Sequence, residues 1–269
     1  MTAPARAAAG VAAAYSASGT AWQQGPGRIY DRMAEVVVAA SPVSLRGAAA
    51  LDLGAGTGAA TRALLDSGAA SVVAVDAAFG MLAHEAATRP PAVVGDAVAL
   101  PFAAAAFDVT VAAFSLNHLT EPAAGLREAA RVTRPGGGIV ASAYAADDDH
   151  PVKQAVEAAL AARGWKPEPW YRTVRERAAP KLATAAAARE AAAAAGLDAE
   201  VETCRVPFPE LGAAELVAWR LGLAQHAPFV ARLPTAGDRA ALVEDAGRRL
   251  GDDWPPLVRS VVILRAVRR

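Results

Sequence analysis

The chain has 269 residues, of which 54% are hydrophobic, and its 27 basic side chains balance 27 acidic ones. This length can bury a substantial core, and a zero net charge without a basic stripe argues against nucleic-acid binding. The single cysteine, Cys204, excludes an internal disulfide and a cysteine-built zinc site. No apolar run reaches the roughly 18 residues that span a bilayer. We therefore expect a cytoplasmic protein that binds neither nucleic acid nor membrane, as a monomer or homodimer.

Residues 1–43 are predicted to form a helical arm or lid before the first core strand. The start is alanine-rich but lacks the strongly apolar centre of a secretion signal. A helical pattern covers residues 30–40 and ends before Pro42. Residues 21–28 are rich in turn-forming residues and contain Trp22.

The glycine turn at residues 54–58 is the most informative feature of the chain. Apolar residues 48–53 run into Gly54, Gly56 and Gly58, and a helix-compatible segment follows. This strand–turn–helix unit is typical of α/β domains that bind a nucleotide-like cofactor. Glycine allows positive φ and close approach of the ligand, and the helix N-terminus offers unpaired N–H groups.

The spacing alone does not name the ligand. It also fits a dinucleotide pattern with Ala59 in the last position, and a tight turn without any ligand has the same sequence. Asp52, two residues before the first glycine, distinguishes these interpretations. Its carboxylate would repel a pyrophosphate and attract a sulfonium or ammonium cation.

Further strands follow in a regular order. Residues 71–76 form a predicted strand that ends in Asp76, where a carboxylate can accept hydrogen bonds from ribose hydroxyls. Residues 93–97 read as a third strand with its exit loop, and residues 107–111 as a fourth. A glycine-rich turn then leads into a fifth strand at 139–142.

The run Asp52-Leu53-Gly54-Ala55-Gly56-Thr57-Gly58, with these segments in register behind it, resembles the class I S-adenosylmethionine-dependent methyltransferases. The resemblance covers about residues 48–145. It implies an α/β, Rossmann-like, doubly wound fold: a seven-stranded, mostly parallel sheet with helices on both faces and an inserted helical cap. It also implies S-adenosylmethionine as cofactor, with S-adenosylhomocysteine as product, held by Asp52, Gly54, Ala55, Gly56, Gly58, Asp76, Ala77, Met81, Asp96, Ala97, Phe114 and Ser115.

The predicted organisation beyond the arm is a cofactor-binding core, a helical cap in two segments and two final strands. The core covers 44–146, the cap 147–196 and 209–256, and the final strands 197–208 and 257–269. This layout resembles the small-molecule branch related to ubiquinone- and menaquinone-biosynthesis methyltransferases, in which such helices cover the active site. In that setting the candidates for a lid or substrate wall are Trp22, Tyr30, Trp170 and Tyr171, although each residue could equally serve ordinary packing.

Methyl transfer needs alignment of the reactants and exclusion of water, and some acceptors also need a general base. Histidine is suited to that role near neutral pH. His118 follows the fourth strand, and His150 lies after the acidic run 147–149, so both are predicted near the pocket as catalytic candidates, with a purely structural role open for His118. No metal is expected, because consecutive acids in a loop rarely all face one ion.

The sequence therefore predicts methyl transfer to an oxygen, nitrogen or carbon atom of a small organic molecule, in specialised metabolism such as bacterial natural-product biosynthesis. Two alternatives stay open at this point. One is an NAD(P)-binding oxidoreductase on the same fold. The other is a non-catalytic or repurposed protein that binds S-adenosylmethionine.

Overall fold

Short apolar segments of the chain assemble into one seven-stranded sheet. The computed structural model describes residues 3–84 and 87–269. The strand order is β3-β2-β1-β4-β5-β7-β6. β1 to β5 pair in parallel, and β7 runs antiparallel to both β5 and β6. The strands are β1 (Ala49–Leu53), β2 (Ser71–Asp76), β3 (Ala92–Val94), β4 (Phe107–Ala112), β5 (Thr133–Tyr144), β6 (Ala199–Phe208) and β7 (Leu257–Val267).

Helices precede, connect and follow these strands. Those in the described residues are α1 (Ala3–Ser16), α2 (Gly19–Gln24), α3 (Gly27–Ala39), α4 (Ala59–Asp66), α5 (Phe79–Leu82), α6 (Pro122–Val132), α7 (Pro151–Ala161), α8 (Pro169–Thr173), α9 (Ala185–Ala194), α10 (Ala213–Leu221), α11 (Ala227–Ala231) and α12 (Ala236–Leu250). Of these, α1 to α3 lie before β1, and α4 to α6 lie between β1 and β5. α7 to α9 lie between β5 and β6, and α10 to α12 lie between β6 and β7.

Both faces of the sheet are covered, as alternation of side chains along the strands requires. Val109 and Val111 of β4 point into a core that includes residues of α3, α4 and α7. Ile139 and Ala141 of β5 belong to the opposite core, which contains residues of α6 and α9. The predicted fold class, a mostly parallel sheet with helices on both faces, is confirmed.

The sheet has a switch point beside its first strand. β1 lies between β2 and β4, so the chain leaves β1 in one direction and later returns on its other side. Loops that leave the carboxyl ends of neighbouring parallel strands in opposite directions open a crevice between them. The topology therefore places the glycine turn and the ends of β2 and β4 around one crevice.

Two local expectations were wrong. Residues 19–24 form α2, although the sequence predicts turns over 21–28. Residues 169–173 form α8, although the prolines at positions 167 and 169 predict an irregular loop around Trp170. Trp22 is 6% exposed and Trp170 is 7% exposed, so burial of a large side chain stabilises each of these short helices in spite of nearby glycine or proline. Residues 1 and 2 of the predicted arm lie outside the described residues.

Glycine permits unusually close packing of the arm against the core. A Cβ atom on Gly80 of α5 would lie 2.0 Å from the carbonyl oxygen of Ser16, and one on Gly19 would lie 2.7 Å from the carbonyl oxygen of Gly80. The Ser16 hydroxyl also accepts a hydrogen bond from the Gly80 N–H at 3.3 Å. The end of α1 is therefore held against α5 at backbone-to-backbone distance.

Gly80→Ala should loosen the arm, because the added methyl group would overlap a backbone carbonyl that cannot rotate away. We expect the free energy of unfolding to fall by about 1–3 kcal/mol, the usual range for overpacking, and subtilisin to cut α1 and α2 faster. Gly247→Ala in α12 is the matched control, since a Cβ there meets nothing within 4 Å. Wild-type stability and protease resistance in Gly80→Ala would contradict this account of the contact.

Candidate functional site

A cavity of about 460 Å³ occupies the switch point. Its floor comes from the glycine turn and from the residues that follow β2, β3 and β4, and its roof comes from α1, α2 and α3. This volume lies within the range of small-molecule sites. Its lining includes Ala8, Ala9, Val11, Ala12, Tyr15, Trp22, Tyr30, Asp52, Gly54, Ala55, Gly56, Asp76, Ala77, Met81, Asp96, Ala97, Phe114, Ser115 and His118.

The glycine turn is fixed by backbone hydrogen bonds and by the absence of side chains. Gly54, Gly56 and Gly58 have φ values of 78°, 53° and 91°, a region that other residues rarely adopt. The N–H groups of Gly54 and Ala55 both donate to the carbonyl oxygen of Val75, at 2.7 and 3.0 Å. A Cβ on Gly54 would lie 2.2 Å from the Cβ of Ser115. The turn thus requires glycine both for its conformation and for its contact with the end of β4.

Asp52 places a buried carboxyl group under the cavity. The residue is 1% exposed, and its Oδ2 accepts a hydrogen bond of 2.6 Å from the Thr61 hydroxyl. Its Oδ1 has no hydrogen-bond partner among the described residues. Burial raises the pKa of Asp52 to about 6, since a low-dielectric site disfavours the charged form. A cation beside Oδ1 would reverse that effect.

Asp76, at the tip of β2, connects two loops of the floor. Its Oδ2 accepts from the N–H of Gly56 and its Oδ1 from the N–H of Ala78, both at 2.8 Å. Burial raises the pKa of this carboxyl group, while these hydrogen bonds act in the opposite direction. A carboxylate oxygen can accept more than one hydrogen bond, so Asp76 holds the turn and retains acceptor capacity toward the cavity.

The third acid of the floor, Asp96, lies in the loop after β3. Its Oδ1 accepts from the N–H of Val98 at 3.0 Å. Because Asp96 and Ala97 both line the cavity, the floor presents acids from three successive strand ends.

An aromatic wall closes one side of the cavity. Trp22 and Tyr30 have ring centroids 4.6 Å apart, and Phe114 lies 5.7 Å from Tyr30. Phe114 has a φ of 55°, which is strained for a residue with a bulky side chain. Its N–H donates to the Ser142 hydroxyl at 3.1 Å, and its ring stacks on Tyr144 at 4.8 Å. These contacts hold the ring at the cavity in spite of the strain.

Tyr15 and His118 connect the roof to the floor. The Tyr15 hydroxyl lies 2.9 Å from Nε2 of His118, and Nδ1 of His118 lies 3.3 Å from the Ser115 carbonyl oxygen. A carbonyl can only accept, so Nδ1 carries the proton and Nε2 accepts from Tyr15. Burial lowers the pKa of His118 to about 4 and raises that of Tyr15 well above its usual value. Both groups are therefore neutral near neutral pH.

Most of the predicted site residues meet in this cavity. Those that line it are Asp52, Gly54, Ala55, Gly56, Asp76, Ala77, Met81, Asp96, Ala97, Phe114, Ser115, His118, Trp22 and Tyr30. Gly58 does not line it but serves as the left-handed residue before α4.

The prediction that His150 faces the pocket was wrong. His150 is 4% exposed and lies at the start of α7. Its Nδ1 accepts from the N–H of Val152 at 3.2 Å, and its Nε2 lies 2.8 Å from the carbonyl oxygen of Pro255. Both ring nitrogens are thus used in capping the helix and in fixing the loop before β7.

Trp170 and Tyr171 do not line the cavity either. Trp170 packs on the outer side of the roof, where a Cβ on Gly10 of α1 would lie 2.8 Å from the Trp170 Cβ. Tyr171 belongs to the same apolar cluster, which includes Val11 and Tyr15. These two residues therefore support the roof helix from behind.

Tyr15 is the main site residue that the sequence alone did not predict. It lies in the alanine-rich start of the chain, 103 residues away from His118. A single tyrosine among alanines was the only available signal, since alanine suits either face of a helix.

The acidic run 147–149 has a structural role. Asp148 receives two hydrogen bonds from Arg259, at 2.9 and 2.8 Å. Among residues 3–84 and 87–269 no group of three or more His, Cys, Asp or Glu side chains could hold a metal ion. Within the same ranges, no helix is both long enough and apolar enough to cross a bilayer.

Comparison with known sequences assigns part of the chain. Residues 51–141 match a family model described as a methyltransferase domain. The demethylmenaquinone methyltransferase of Mycolicibacterium vanbaalenii is 44% identical over 131 residues, which cover 49% of this chain and 55% of that protein. The chain thus spans about half the length of the curated relatives it matches.

Solved structures share the fold. A putative methyltransferase from an antibiotic biosynthesis pathway of Anabaena variabilis superposes with a TM-score of 0.59 at 16% identity, covering 86% of this chain and 96% of that one. Phosphoethanolamine N-methyltransferase 2 of Haemonchus contortus, in complex with phosphomonomethylethanolamine and S-adenosylhomocysteine, gives 0.53 at 20% identity, covering 87% and 51%. At these identities the likeness shows the fold alone.

Asp52→Asn should change how stability depends on pH. The pKa of Asp52 is raised in the folded protein, so the folded state holds a proton that the unfolded state releases between about pH 4 and 6. Wild-type stability due to this group therefore falls as pH rises through that window. We expect the variant-minus-wild-type difference in unfolding free energy to increase by up to about 3 kcal/mol between pH 4 and 7.

Denaturant titrations of both proteins across this range provide the measurement. His118 and His226 also have lowered pKa values because of burial, but they titrate in both proteins and cancel in the difference. A difference that does not vary with pH would show that Asp52 titrates normally.

Proposed function

We propose that this chain, whose residues 51–141 match a methyltransferase domain, is a class I S-adenosylmethionine-dependent methyltransferase that transfers the cofactor's methyl group to a nucleophilic atom of a small organic molecule. The observation that carries the proposal is the cavity at the switch point, with a glycine turn, a strand-tip acid and a buried carboxylate that has a free oxygen. The match of residues 51–141 to a methyltransferase domain and the 44% identity to a demethylmenaquinone methyltransferase over 131 residues support the predicted family and cofactor.

The residues present fit this cofactor. Oδ1 of Asp52 has no partner among the described residues, and a positively charged ligand group nearby would stabilise its ionised form. Asp76 keeps lone pairs available for ribose hydroxyls, and the bare backbone of Gly54 and Gly56 allows close approach. When bound, S-adenosylmethionine supplies a methyl group activated on a sulfonium sulfur.

The chain's own contribution is alignment and exclusion of water. The roof of α1 presents small apolar side chains, Ala8, Ala9 and Ala12, to the cavity, which leaves room for a flat acceptor beneath them. The wall of Trp22, Tyr30 and Phe114 supplies ring faces that attract a cation. Holding two reactants in line within a dry cavity accounts for a large part of a displacement rate.

His118 and Tyr15 are the proposed proton-handling pair. His118 is neutral and its Nε2 is oriented toward the Tyr15 hydroxyl, so a proton released by an acceptor at the cavity can pass to the tyrosine oxygen as Tyr15 donates to His118. The same hydrogen bond fixes α1 over the cavity. Loss of either side chain should therefore impair turnover more than cofactor binding, which depends on the floor.

The proposed acceptor rests on the relatives of the matched part of the chain. Relatives of the matched half are demethylmenaquinone methyltransferases by name, which makes a reduced naphthoquinone the first acceptor to test. A product of specialised metabolism is the alternative, because the arm and the residues after 141 lie outside the matched domain and would shape a different acceptor space.

Calorimetric titration tests the cofactor proposal directly. S-adenosylmethionine and S-adenosylhomocysteine should bind with dissociation constants on the order of micromolar, whereas nicotinamide dinucleotides should not bind. Gly56→Val should weaken S-adenosylhomocysteine binding by about 100-fold or more, because a branched side chain at positive φ would intrude into the cavity. Gly136→Val is the control: it carries the same backbone strain, with a φ of 77° and open space around it, and should bind normally. Binding of a dinucleotide alone would reject the function and leave only the fold.

Tyr15→Phe and His118→Ala should each lower kcat by roughly 10- to 100-fold with an accepted substrate, while the affinity for S-adenosylhomocysteine changes less than about twofold. Turnover is followed as S-adenosylhomocysteine formation, first with a reduced naphthoquinone and then with a panel of phenols, amines and carboxylates. Equal loss of cofactor affinity would indicate that the pair only closes the roof. Binding of cofactor without product from any acceptor would favour a repurposed cofactor-binding protein.

A further inference from the structure

A second polar compartment lies behind the aromatic wall. Arg259 of β7 and Arg220 of α10 are only 3% and 7% exposed. Nζ of Lys153 of α7 lies 3.2 Å from Oδ2 of Asp148, which also pairs with Arg259. We call these three residues the buried cationic cluster. Burying a guanidinium group lowers the stability of the fold unless its N–H groups have hydrogen-bond partners. N–H groups that are buried without a partner therefore point to a ligand.

Arg259 is held firmly but incompletely. Its Nε and Nη2 donate to Asp148 at 2.9 and 2.8 Å, and its guanidinium lies between the rings of Tyr144 and Trp219, 4.1 and 4.6 Å from their centroids. Its Nη1 has no hydrogen-bond partner among the described residues. Arginine cannot lose its proton in a protein, so this donor stays charged and unused.

Arg220 repeats the pattern from a neighbouring helix. Its Nη2 donates to Glu157 at 3.3 Å, and its guanidinium lies 5.5 Å from the Trp219 ring centroid. Its Nε also lacks a partner within the described part of the chain. Two arginines that contact the same tryptophan thus each keep one buried donor free, whereas buried polar groups in folded proteins are nearly always hydrogen-bonded.

The charges of the compartment do not cancel. Three cations face two partly or fully buried acids, Asp148 and Glu157. Asp149 also lies 3.6 Å from Lys153, but its side chain is 69% exposed and water screens its charge. Inside the protein one positive charge is left over, which corresponds to one negative charge on a ligand.

Tyr144 separates this compartment from the cavity. One face of its ring carries Arg259, and the ring also stacks on Phe114, which lines the cavity. Tyr30, another cavity residue, lies 6.3 Å from Tyr144 between ring centroids. The Arg259 guanidinium is therefore one aromatic ring away from the proposed acceptor space.

We propose that the buried cationic cluster binds a single anionic oxygen group of the methyl acceptor, a carboxylate or an ionised ring hydroxyl, which reaches the cluster past the Tyr144 ring from the acceptor space beside Tyr30 and Phe114. Guanidinium N–H groups form strong, charge-assisted hydrogen bonds to planar anions, and Nη1 of Arg259 and Nε of Arg220 are the donors that have no partner among the described residues. That this ligand is the methyl acceptor rests on the proposed function; that the cluster binds such an anion does not.

Three naphthalene probes test the assignment by calorimetry, with and without saturating S-adenosylhomocysteine. They are 2-naphthoate, 2-hydroxy-1,4-naphthoquinone, which is ionised in neutral buffer, and 2-naphthamide, a neutral analogue of the first. At least one anion should bind roughly tenfold or more tightly than the amide, since hydrogen bonds to charged groups are strong. The better of the two anions identifies the oxygen group as carboxylate or ring oxygen. If neither anion binds better than the amide, the proposal is wrong.

Arg220→Met tests whether the preference for anions over the amide depends on Arg220, because methionine is a long side chain without an N–H donor. The ratio of anion to amide affinity should fall to within about twofold, whereas Arg248→Met, at a side chain that is 62% exposed on α12, should leave it unchanged. A folded Arg220→Met that retains the full preference would overturn the assignment. If Arg220→Met does not fold, the affinities of the wild-type protein for the two anions and for the amide decide whether the proposal is right. If the anion preference depends on Arg220 but S-adenosylhomocysteine does not bind, the anion site stands and the proposed function fails.

Discussion

The close approach of β1 and β4 at Gly54 determines the rest of the site. A Cβ there would lie 2.2 Å from that of Ser115, so only glycine lets the Ser115 hydroxyl reach the Leu53 carbonyl oxygen at 2.6 Å. This contact fixes where the chain leaves β4, and Phe114 and His118 take their positions from it. The strained φ of Phe114 follows from the same geometry, because the chain must turn at once after passing the glycine turn.

Buried charge of opposite sign lies on the two sides of the aromatic wall. Asp52 lies under the cavity, and Arg259 and Arg220 lie behind Tyr144. In each case a firm partner fixes the group and leaves part of its hydrogen-bonding capacity unused. Folding alone would favour apolar replacements at such positions. Polar groups that are fixed and yet incompletely satisfied are therefore better explained by binding than by stability.

The sequence predicted the site residues that lie at the ends of strands. It did not predict the contacts that depend on how distant elements dock against the sheet and against each other. Asp52, Asp76 and Phe114 could be placed together because parallel strands align their carboxyl ends at one edge. Tyr15 contacts His118 across 103 residues, and Arg259 contacts Asp148 across 111. Such pairs depend on how α1 and β7 dock, and no periodic pattern records that. The prediction for His150 was wrong for the same reason. Its position after β5 indicated a place at the pocket, but its ring is bound to Pro255 in the loop before β7.

The roof of the cavity comes from the arm at the start of the chain, which is one of the segments for which the sequence predicted a lid role. Of the segments on which a lid role was predicted, the arm lines the cavity, and α8 only supports α1 from outside. Because α1 consists mostly of alanine, it has few large side chains to bury. Its docking therefore depends on the close contacts at Gly10 and Gly80 and on the Tyr15–His118 hydrogen bond. A protonated His118 could no longer accept from Tyr15. With its pKa lowered to about 4 by burial, that bond persists at neutral pH, and the burial that makes His118 a weak base is also what keeps the roof in place.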